Sequence, residues 1–357
     1  LRVVYDTVSI PPNASPKQRQ KLFDDAKQDY ADILKRLADG ERDNLDAEHQ
    51  AVLSLWPQDV SNEELKQAAG RLRVQQGLAD RFKQGLVRSG QWLDHIHTHL
   101  EKAGVPKGLA ALPHVESSFN PDVYSLVGAA GLWQFTRATG KHFMRIDPLV
   151  DARRDPFMSS KAAAELLQHN YEILKSWPLA ITAYNHGVTG MRRAVRTLGT
   201  DDIGEIVHNY QGRAFGFASR NFYVAFLAAL EVEQNADSYF GVVEKASPKD
   251  EVVVTLPHYV PVSVLEKTYG VPRDALKEAN PALMSPVWKG NKYVPKGFEL
   301  RLPLATAKTP EQLLAAIPGK SRYQRQRPDQ FHKVKRGEAL SVIAQRYNTT
   351  VTELVAW

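Results

Sequence analysis

Residues 112–135 read LPHVESSFNPDVYSLVGAAGLWQF, and the reading of one glutamate in this stretch decides how the rest of the chain is understood. Glu116 stands among Leu112, Val115 and Phe119 and is followed at once by Ser117. A carboxyl held among apolar side chains is harder to ionise than one in water, because desolvation disfavours the charged form and raises the pKa. A general acid working at neutral pH needs that property. The commoner role of any one glutamate is a solvated residue at a helix end. Glu116 is therefore a candidate acid whose standing depends on residues elsewhere in the chain.

At 357 residues the chain exceeds the usual size of one hydrophobic core, so two or more domains are expected, and 43% hydrophobic content supports globular folding. The 46 Lys+Arg against 40 Asp+Glu give a formal charge of +6, which favours anionic surfaces, polyanions other than nucleic acid included. The absence of cysteine excludes disulfides, thiol nucleophiles and Cys-ligated metal. No window approaches the roughly 18 consecutive apolar residues of a membrane helix. The sequence starts at Leu1 rather than Met, which raises the expectation that a leader or upstream segment has been removed.

Residues 1–15 read as an extended arm ending in a proline turn, after which Leu22, Ala26, Tyr30, Ile33, Leu34 and Leu37 recur at helical spacing. A second helix is expected from Ser61, with Glu64 completing a capping box and an apolar side running through Leu65, Ala68, Leu72, Leu78, Phe82 and Leu86. Residues 1–75 thus read as a helical scaffold segment without catalytic features. In QWLDHIHTHLEKAG, His95 and His99 would share a helix face, as metal ligands can, but no acid sits between them in the metalloprotease pattern. Trp92, Ile96 and Leu100 form the apolar stripe there, which puts the histidines on a solvated flank. Pro106 is placed to open a short helix that delivers Glu116 at its C-terminal end. Three further helical segments follow, SSKAAAELLQHNYEILKSW from Ser159, PLAITAYNHGVTGMRRAVRTLG after Trp177, and ASRNFYVAFLAALEVEQ with an apolar face from Phe222 to Leu230. Residues 90–240 carry no strand signal and read as one all-α domain.

Beyond residue 240 the character changes. EVVVT and FELRLP are strand candidates with helices between them, and SPKD before the first is a hinge. SVLEKTYGVPRDAL at 263–276 matches SVIAQRYNTTVTEL at 341–354, a constant offset of 78 that marks two copies of one small unit. In each copy a short helix ends at Gly270 or Asn348 and a second is begun by Pro272, or by Thr350 with Glu353 three residues on. Between the copies, residues 304–330 have the composition of a charged, solvated linker, with Lys320, Arg322, Arg325 and Arg327.

Four features stand together in the helical region: Glu116-Ser117, the loop GAAGLWQ from Gly128 to Gln134, AYN at Ala183 to Asn185, and Tyr223 in the apolar helix after SRNF. Their order and spacing resemble the lytic transglycosylases of the goose-lysozyme-like superfamily, in particular the membrane-bound lytic murein transglycosylase D type with C-terminal LysM repeats. The resemblance covers about residues 70–303 and 331–357. It implies a mainly α fold: a lysozyme-like catalytic domain over 76–240, a small degenerate βααβ LysM-like module over 250–303, a linker over 304–330 and a second, incomplete LysM module over 331–357. The first module departs from the pattern, with VVVTLPHYVPVSV in place of a strand and a Gly-Asp/Glu turn. The second carries Gly337-Glu338 in the expected turn and stops at Trp357, before its last strand, so a truncated unit with an unpaired sheet edge is expected.

Carried over position by position, the resemblance makes Glu116 the single catalytic acid/base and Ser117 the serine that hydrogen-bonds beside it. Gly128 and Gly131 become the glycines that let the loop approach the sugar, Gln134 a substrate-contacting amide, Tyr184 and Asn185 the pair lining the groove, and Tyr223 a tyrosine reaching back toward the glutamate. Trp133 occupies a place where many relatives carry Met, and it is taken as substrate-binding. Such residue types suit glycan independently, since aromatic faces stack on sugar rings and amides and hydroxyls bond to their polar groups. The implied reaction is substrate-assisted cleavage of the β-1,4 bond between N-acetylmuramic acid and N-acetylglucosamine, ending in a 1,6-anhydro product. The implied partner is the peptidoglycan strand, with no nucleic acid, metal or cofactor, in the periplasm; attachment to the outer membrane through a lipid anchor upstream of Leu1 and the oligomeric state are left open. Two other readings stay open. If Asp122 or Asp151 positioned water, the chain would be a muramidase that hydrolyses the same bond, and without catalysis it would be a cell-wall binding protein.

Overall fold

A computed structural model of the chain describes residues 3–11, 13–74, 77–304, 306, 308–329, 332–347 and 349–356. The fold is mainly α, as expected, and the chain divides into two units, Leu1–Leu78 and Ala79–Trp357. In the first unit α1 (Pro16–Ala38) starts at a capping box between Ser15 and Gln18, with Pro16 in the first turn. Its residues Ile33, Leu34 and Leu37 are buried with Val52 of α2 (Ala47–Ser54) and Leu65 of α3 (Asn62–Ala69). The Ser61–Glu64 capping box forms as expected, but the long helix from Ser61 to Leu86 does not. It stops at Gly70, and α4 (Ala79–Ser89) begins the second unit. Glycine raises the entropic cost of continuing a helix by about 1 kcal/mol relative to Ala. The apolar period persisted across a break that belongs to two separate cores.

The second unit continues with α5 (Leu93–Lys102), a 3-10 turn at Lys107–Ala111 and α6 (Leu112–Glu116). After α7 (Arg137–Gly140) come α8 (Pro156–Leu174), α9 (Trp177–His186), α10 (Val188–Leu198), α11 (Ile203–Asn209), α12 (Phe217–Gln234) and α13 (Ala236–Phe240). The helix α8 is central because Ala162, Ala163 and Ala164 let its neighbours approach closely, while Leu166 and Leu167 fill the space with Leu100, Leu132, Ile181 and Phe222. Asp155 caps α8 by accepting from the backbone N–H of Phe157 and Met158. A satellite core of Leu179, Met191, Ile206 and Phe215 joins α9, α10 and α11.

The module beyond residue 250 has the expected two strands with two helices between them, and a third, four-residue helix follows those two before the second strand. Strand β1 (Val252–Thr255) runs antiparallel to β2 (Glu299–Leu302), with Val252 opposite Leu302 and Thr255 opposite Glu299. Between them lie α14 (Val262–Tyr269), α15 (Arg273–Ala279) and α16 (Ser285–Trp288), and Gly270 ends α14 at φ +66°. The module is not a separate bead. Val150 of the helical domain is buried in the module's own core, the Asp151 N–H donates to the Ala282 carbonyl at 2.8 Å, and the Met284 N–H donates to the Leu149 carbonyl at 2.9 Å.

The expected solvated linker is a folded piece of the same core. Pro310–Ala316 forms α17 behind a Thr309/Gln312 capping box, and Leu313 and Ile317 are 3% exposed among the module's apolar residues. Tyr323 exchanges two backbone hydrogen bonds with Tyr259, and the Arg322 guanidinium folds onto the Ile317 carbonyl at 2.6 Å. The misleading signal was the basic cluster: Arg322 and Arg327 hold backbone carbonyls rather than water alone. In residues 332–356, α18 (Leu340–Arg346) and α19 (Val351–Ala356) form, and Gly337 takes φ +89° in the expected turn. Among the described residues of this segment there is no strand. Asn348, expected as a cap, and Trp357 lie outside the described residues. Among the described residues no helix is long and apolar enough to cross a membrane.

A Leu313→Ala chain should lose about 2–4 kcal/mol of stability, the cost of a cavity in a packed core. Urea unfolding followed by fluorescence checks this, and a midpoint unchanged from the parent would return the segment to a solvated linker.

Candidate active site

Glu116 is the last residue of α6, and the chain turns away immediately through Ser118 and Phe119, both at φ +53°. The helix is buried through Leu112, Pro113 and His114, and Phe119 is fully enclosed in the core, so the apolar residues that flank Glu116 in the sequence belong to the interior. Burial pushes the Glu116 carboxyl up to about 8. Part of the side chain nonetheless remains open, as a proton donor to an incoming group requires. Among the described residues no hydrogen bond or ion pair reaches this carboxyl, so desolvation acts on it without a compensating charge.

The loop that faces it is built by an arginine the sequence reading did not single out. Arg153 is fully buried, and all of its N–H groups are used: Nε and Nη2 grip the two Asp151 oxygens at 2.9 and 2.7 Å, Nη1 donates to the carbonyls of Gly128 at 2.8 Å and Phe135 at 3.1 Å, and Nη2 also reaches the Tyr124 hydroxyl at 3.3 Å. Gly128 and Gly131 both take φ +79°. A Cβ at Gly131 would stand 1.9 Å from the Arg153 carbonyl oxygen, so that glycine is demanded by the protein's own backbone rather than by an approaching sugar. The signal available in the sequence was the Asp-Ala-Arg spacing of residues 151–153, which sets opposite charges two apart beside a carboxylate considered only for positioning water.

Several predicted site residues hold this frame together. The Ser117 hydroxyl is buried and donates to the Leu132 carbonyl at 2.7 Å, which ties the glutamate's helix to the loop instead of bonding to the carboxyl. The Gln134 amide donates to the carbonyls of Gly131 at 2.9 Å and Val123 at 3.1 Å. The Tyr184 hydroxyl donates to the Trp133 carbonyl at 2.8 Å, and its pKa is raised well above the usual range by burial and by the nearby Glu116 charge. The Asn185 residue is exposed and its Oδ1 accepts from the Ser219 hydroxyl at 3.0 Å. Tyr223 is partly exposed on α12, which packs against α6, and its ring adjoins Phe226.

Trp133 requires a correction. Its ring is fully buried and its indole N–H donates to the Ser160 hydroxyl at 2.8 Å, so it is a core residue beneath the loop and offers no face to a ligand. A tryptophan's size and its single N–H fit either a core or a sugar platform, and only the path of the chain distinguishes them. The carboxylates considered as partners of Glu116 are occupied or remote in role: Asp151 is locked to Arg153, and Asp122 is an exposed turn residue whose N–H bonds to Asn120 Oδ1. The histidines are not on a solvated flank. His95 Nε2 donates to the Phe157 carbonyl at 3.0 Å, and burial pushes its pKa down to about 4, so the ring is neutral.

Comparison with known proteins finds likeness over two stretches of the chain. Residues 96–207 match the family model described as "Transglycosylase SLT domain", and residues 332–357 match that described as "LysM domain". Among individual relatives, the chain is 36% identical over 114 residues to a protein of Alteromonas sp. (strain M-1) named for tributyltin chloride resistance, covering 31% of this chain and 55% of the relative. It is 33% identical over 113 residues to membrane-bound lytic murein transglycosylase D of Escherichia coli (strain K12), covering 31% of this chain and 25% of the relative. The matched stretch thus spans about half and a quarter of those relatives. The crystal structure of the 70 kDa soluble lytic transglycosylase of Escherichia coli overlays at a TM-score of 0.33 with 18% identity, covering 66% of this chain and 34% of that one. That overlay is too loose to transfer any residue.

Two outcomes follow from this geometry. Because the Glu116 pKa is raised in the folded state, the folded chain holds a proton that the unfolded chain has released between the ordinary carboxylate range and about pH 8, so this group makes stability fall as pH rises through that window. Glu116→Gln should therefore be more stable than the parent above pH 8 and equal to it below about pH 4; thermal melts across that range check it, with roughly 2–4 °C expected per kcal/mol recovered. Trp133→Phe should lose about 1–3 kcal/mol in urea unfolding through the lost hydrogen bond and the void, whereas an exposed, ligand-facing tryptophan would cost under about 0.5 kcal/mol.

Proposed function

We propose that the chain is a peptidoglycan lytic transglycosylase that cleaves the β-1,4 bond between N-acetylmuramic acid and N-acetylglucosamine with Glu116 as its only acid/base. The observation that carries this reading is a carboxyl raised to about 8 with no hydrogen bond, ion pair or second carboxylate engaged with it among the described residues. At neutral pH such a group is mostly protonated, so it can donate to the leaving oxygen. An ordinary retaining glycosidase would need a second carboxylate about 5–5.5 Å away as nucleophile; with Asp151 held by Arg153, the attack on the anomeric carbon passes to the substrate's own N-acetyl group. Glu116, now a carboxylate, takes the proton of the C6 hydroxyl, whose oxygen closes on the anomeric carbon to give the 1,6-anhydro sugar.

The surroundings support the same chemistry. The loop from Gly128 to Gln134 is held by hydrogen bonds to Arg153 and Tyr184, and Tyr184 and Tyr223 pack on the core that buries the glutamate's helix, with Asn185 next to Tyr184 on α9. Relatives named as membrane-bound murein transglycosylases, together with the LysM match, favour a periplasmic enzyme that holds glycan through residues 332–357. The LysM-like module over residues 250–303 is on this reading part of the catalytic body, since its core includes Val150.

Digestion of purified sacculi in heavy-oxygen water tests the reaction type. Anhydro ends without label are expected by mass spectrometry; labelled reducing ends would replace the transglycosylase with a muramidase. Glu116→Gln should lower turnover by at least about 100-fold, the usual contribution of general acid-base catalysis, and undiminished lysis would leave only a binding protein.

A further inference from the structure

The five-residue helix that ends in Glu116 is tied down unevenly. On the loop side the Ser117 hydroxyl bonds to the Leu132 carbonyl, and beyond the glutamate Arg88 of α4 donates to the carbonyls of Ser118 at 2.7 Å and Phe119 at 3.1 Å. Toward α12, which packs on α6 and also carries Tyr223, the facing polar groups are His114 and Glu233. The His114 side chain has no solvent exposure, and neither ring nitrogen makes a hydrogen bond among the described residues. Phe82 of α4 stacks on the ring with centroids 4.3 Å apart, Phe119 meets it edge-on at 4.6 Å, and a Cβ at Gly85 would stand 3.0 Å from Nδ1. The imidazole is therefore clamped, with Nε2 3.9 Å from the Glu233 carboxylate. That carboxylate keeps 15% exposure and makes no hydrogen bond among the described residues.

A buried ring nitrogen without a partner is costly, whereas a phenyl ring in the same slot carries no such cost. A hydrogen bond from nitrogen to oxygen spans about 2.7–3.2 Å, so a shift of about 1 Å closes this pair. Glu233 can make that shift, since its side chain is unbonded and partly open while the imidazole is clamped. A neutral imidazole with its proton on Nε2 suffices as the donor. We propose that His114 and Glu233 are positioning residues: a hydrogen bond from the His114 Nε2–H to the Glu233 carboxylate ties the helix of the acid to α12 and fixes where Glu116 presents its proton. This inference rests on the reading of Glu116 as the acid. It adds a third tie to those of Ser117 and Arg88. The tie matters because a misplacement of about 1 Å in a reacting group costs up to about 100-fold in rate.

The test uses the full chain with His114→Phe, which keeps the stacking and removes both nitrogens, and with Glu233→Met and Glu233→Gln, of which only the second keeps an acceptor. On soluble glycan strands His114→Phe and Glu233→Met should each lower kcat about tenfold with KM unchanged. The double variant should lose no more than either alone, and Glu233→Gln should recover most of the loss. The melting temperature of His114→Phe should be no lower than the parent's, because an apolar ring replaces an unpartnered imidazole. Unaltered kcat, losses that multiply to about 100-fold in the double variant, equal losses in the two Glu233 variants, or a loss that only tracks a lower melting temperature would overturn the proposal. A second measurement needs no turnover. In protein labelled with heavy nitrogen at histidine, the His114 Nε2–H should be protected from exchange and shifted downfield in the parent and in Glu233→Gln. Loss of that signal in Glu233→Met supports the bond; the same signal in all three, or in none, refutes it. If the parent chain cleaves no strand, the reading of Glu116 falls and the imidazole signal still decides the pair.

Discussion

The buried pair of Asp151 and Arg153 is the constraint on which the rest of the second unit depends. A guanidinium with no solvent contact is costly unless every donor finds an acceptor, and here the carboxylate takes two while the loop carbonyls and the Tyr124 hydroxyl take the others. The pair therefore dictates where Gly128 and Phe135 must be. It also reaches the module, because the Asp151 N–H is bonded to the Ala282 carbonyl. Removing one partner of such a pair costs about 3–5 kcal/mol, since the other stays buried and unpaired. The loop, the acid's helix and the module consequently behave as one assembly.

Around that frame the site trades stability for chemistry. Glu116 would be easier to bury with a partner, but a partner would lower its pKa and remove the proton that the proposed reaction draws on at neutral pH. Ser117, Gln134 and Tyr184 direct their donors to the carbonyls of Leu132, Gly131 and Trp133 rather than to the carboxyl. Their contribution is positional: they hold the loop against α6 while leaving the acid unneutralised. Such a division lets one carboxyl remain both rigidly placed and protonated.

Much of the architecture was legible along the chain. The capping box at Ser61 and the apolar faces of α8 and α12 are local, so spacing exposes them, and the two strands over residues 252–302 with helices between them followed from strand and cap signals, the short α16 excepted. Two misreadings share a cause. The run from Ser61 to Leu86 kept an apolar period across Gly70 although its halves belong to different cores, and residues 308–327 looked polar because their arginines hold backbone carbonyls. Composition reports how many polar groups a segment has and is silent about their partners.

The sequence by itself determined that Glu116 sits in an apolar setting, that glycines stand at 128 and 131, and that a helical domain is followed by a strand-containing unit, because each of these depends on neighbours within a few residues. Tertiary structure alone decided that Trp133 is core, that Gly131 makes room for the Arg153 carbonyl, and that Asp151 is locked in an ion pair and not free to position water. It also decided that the module shares its core with Val150. Those outcomes turn on which side chains meet across distant parts of the chain, and burial, pairing and steric exclusion at such meetings are properties of the packed molecule that no local pattern encodes.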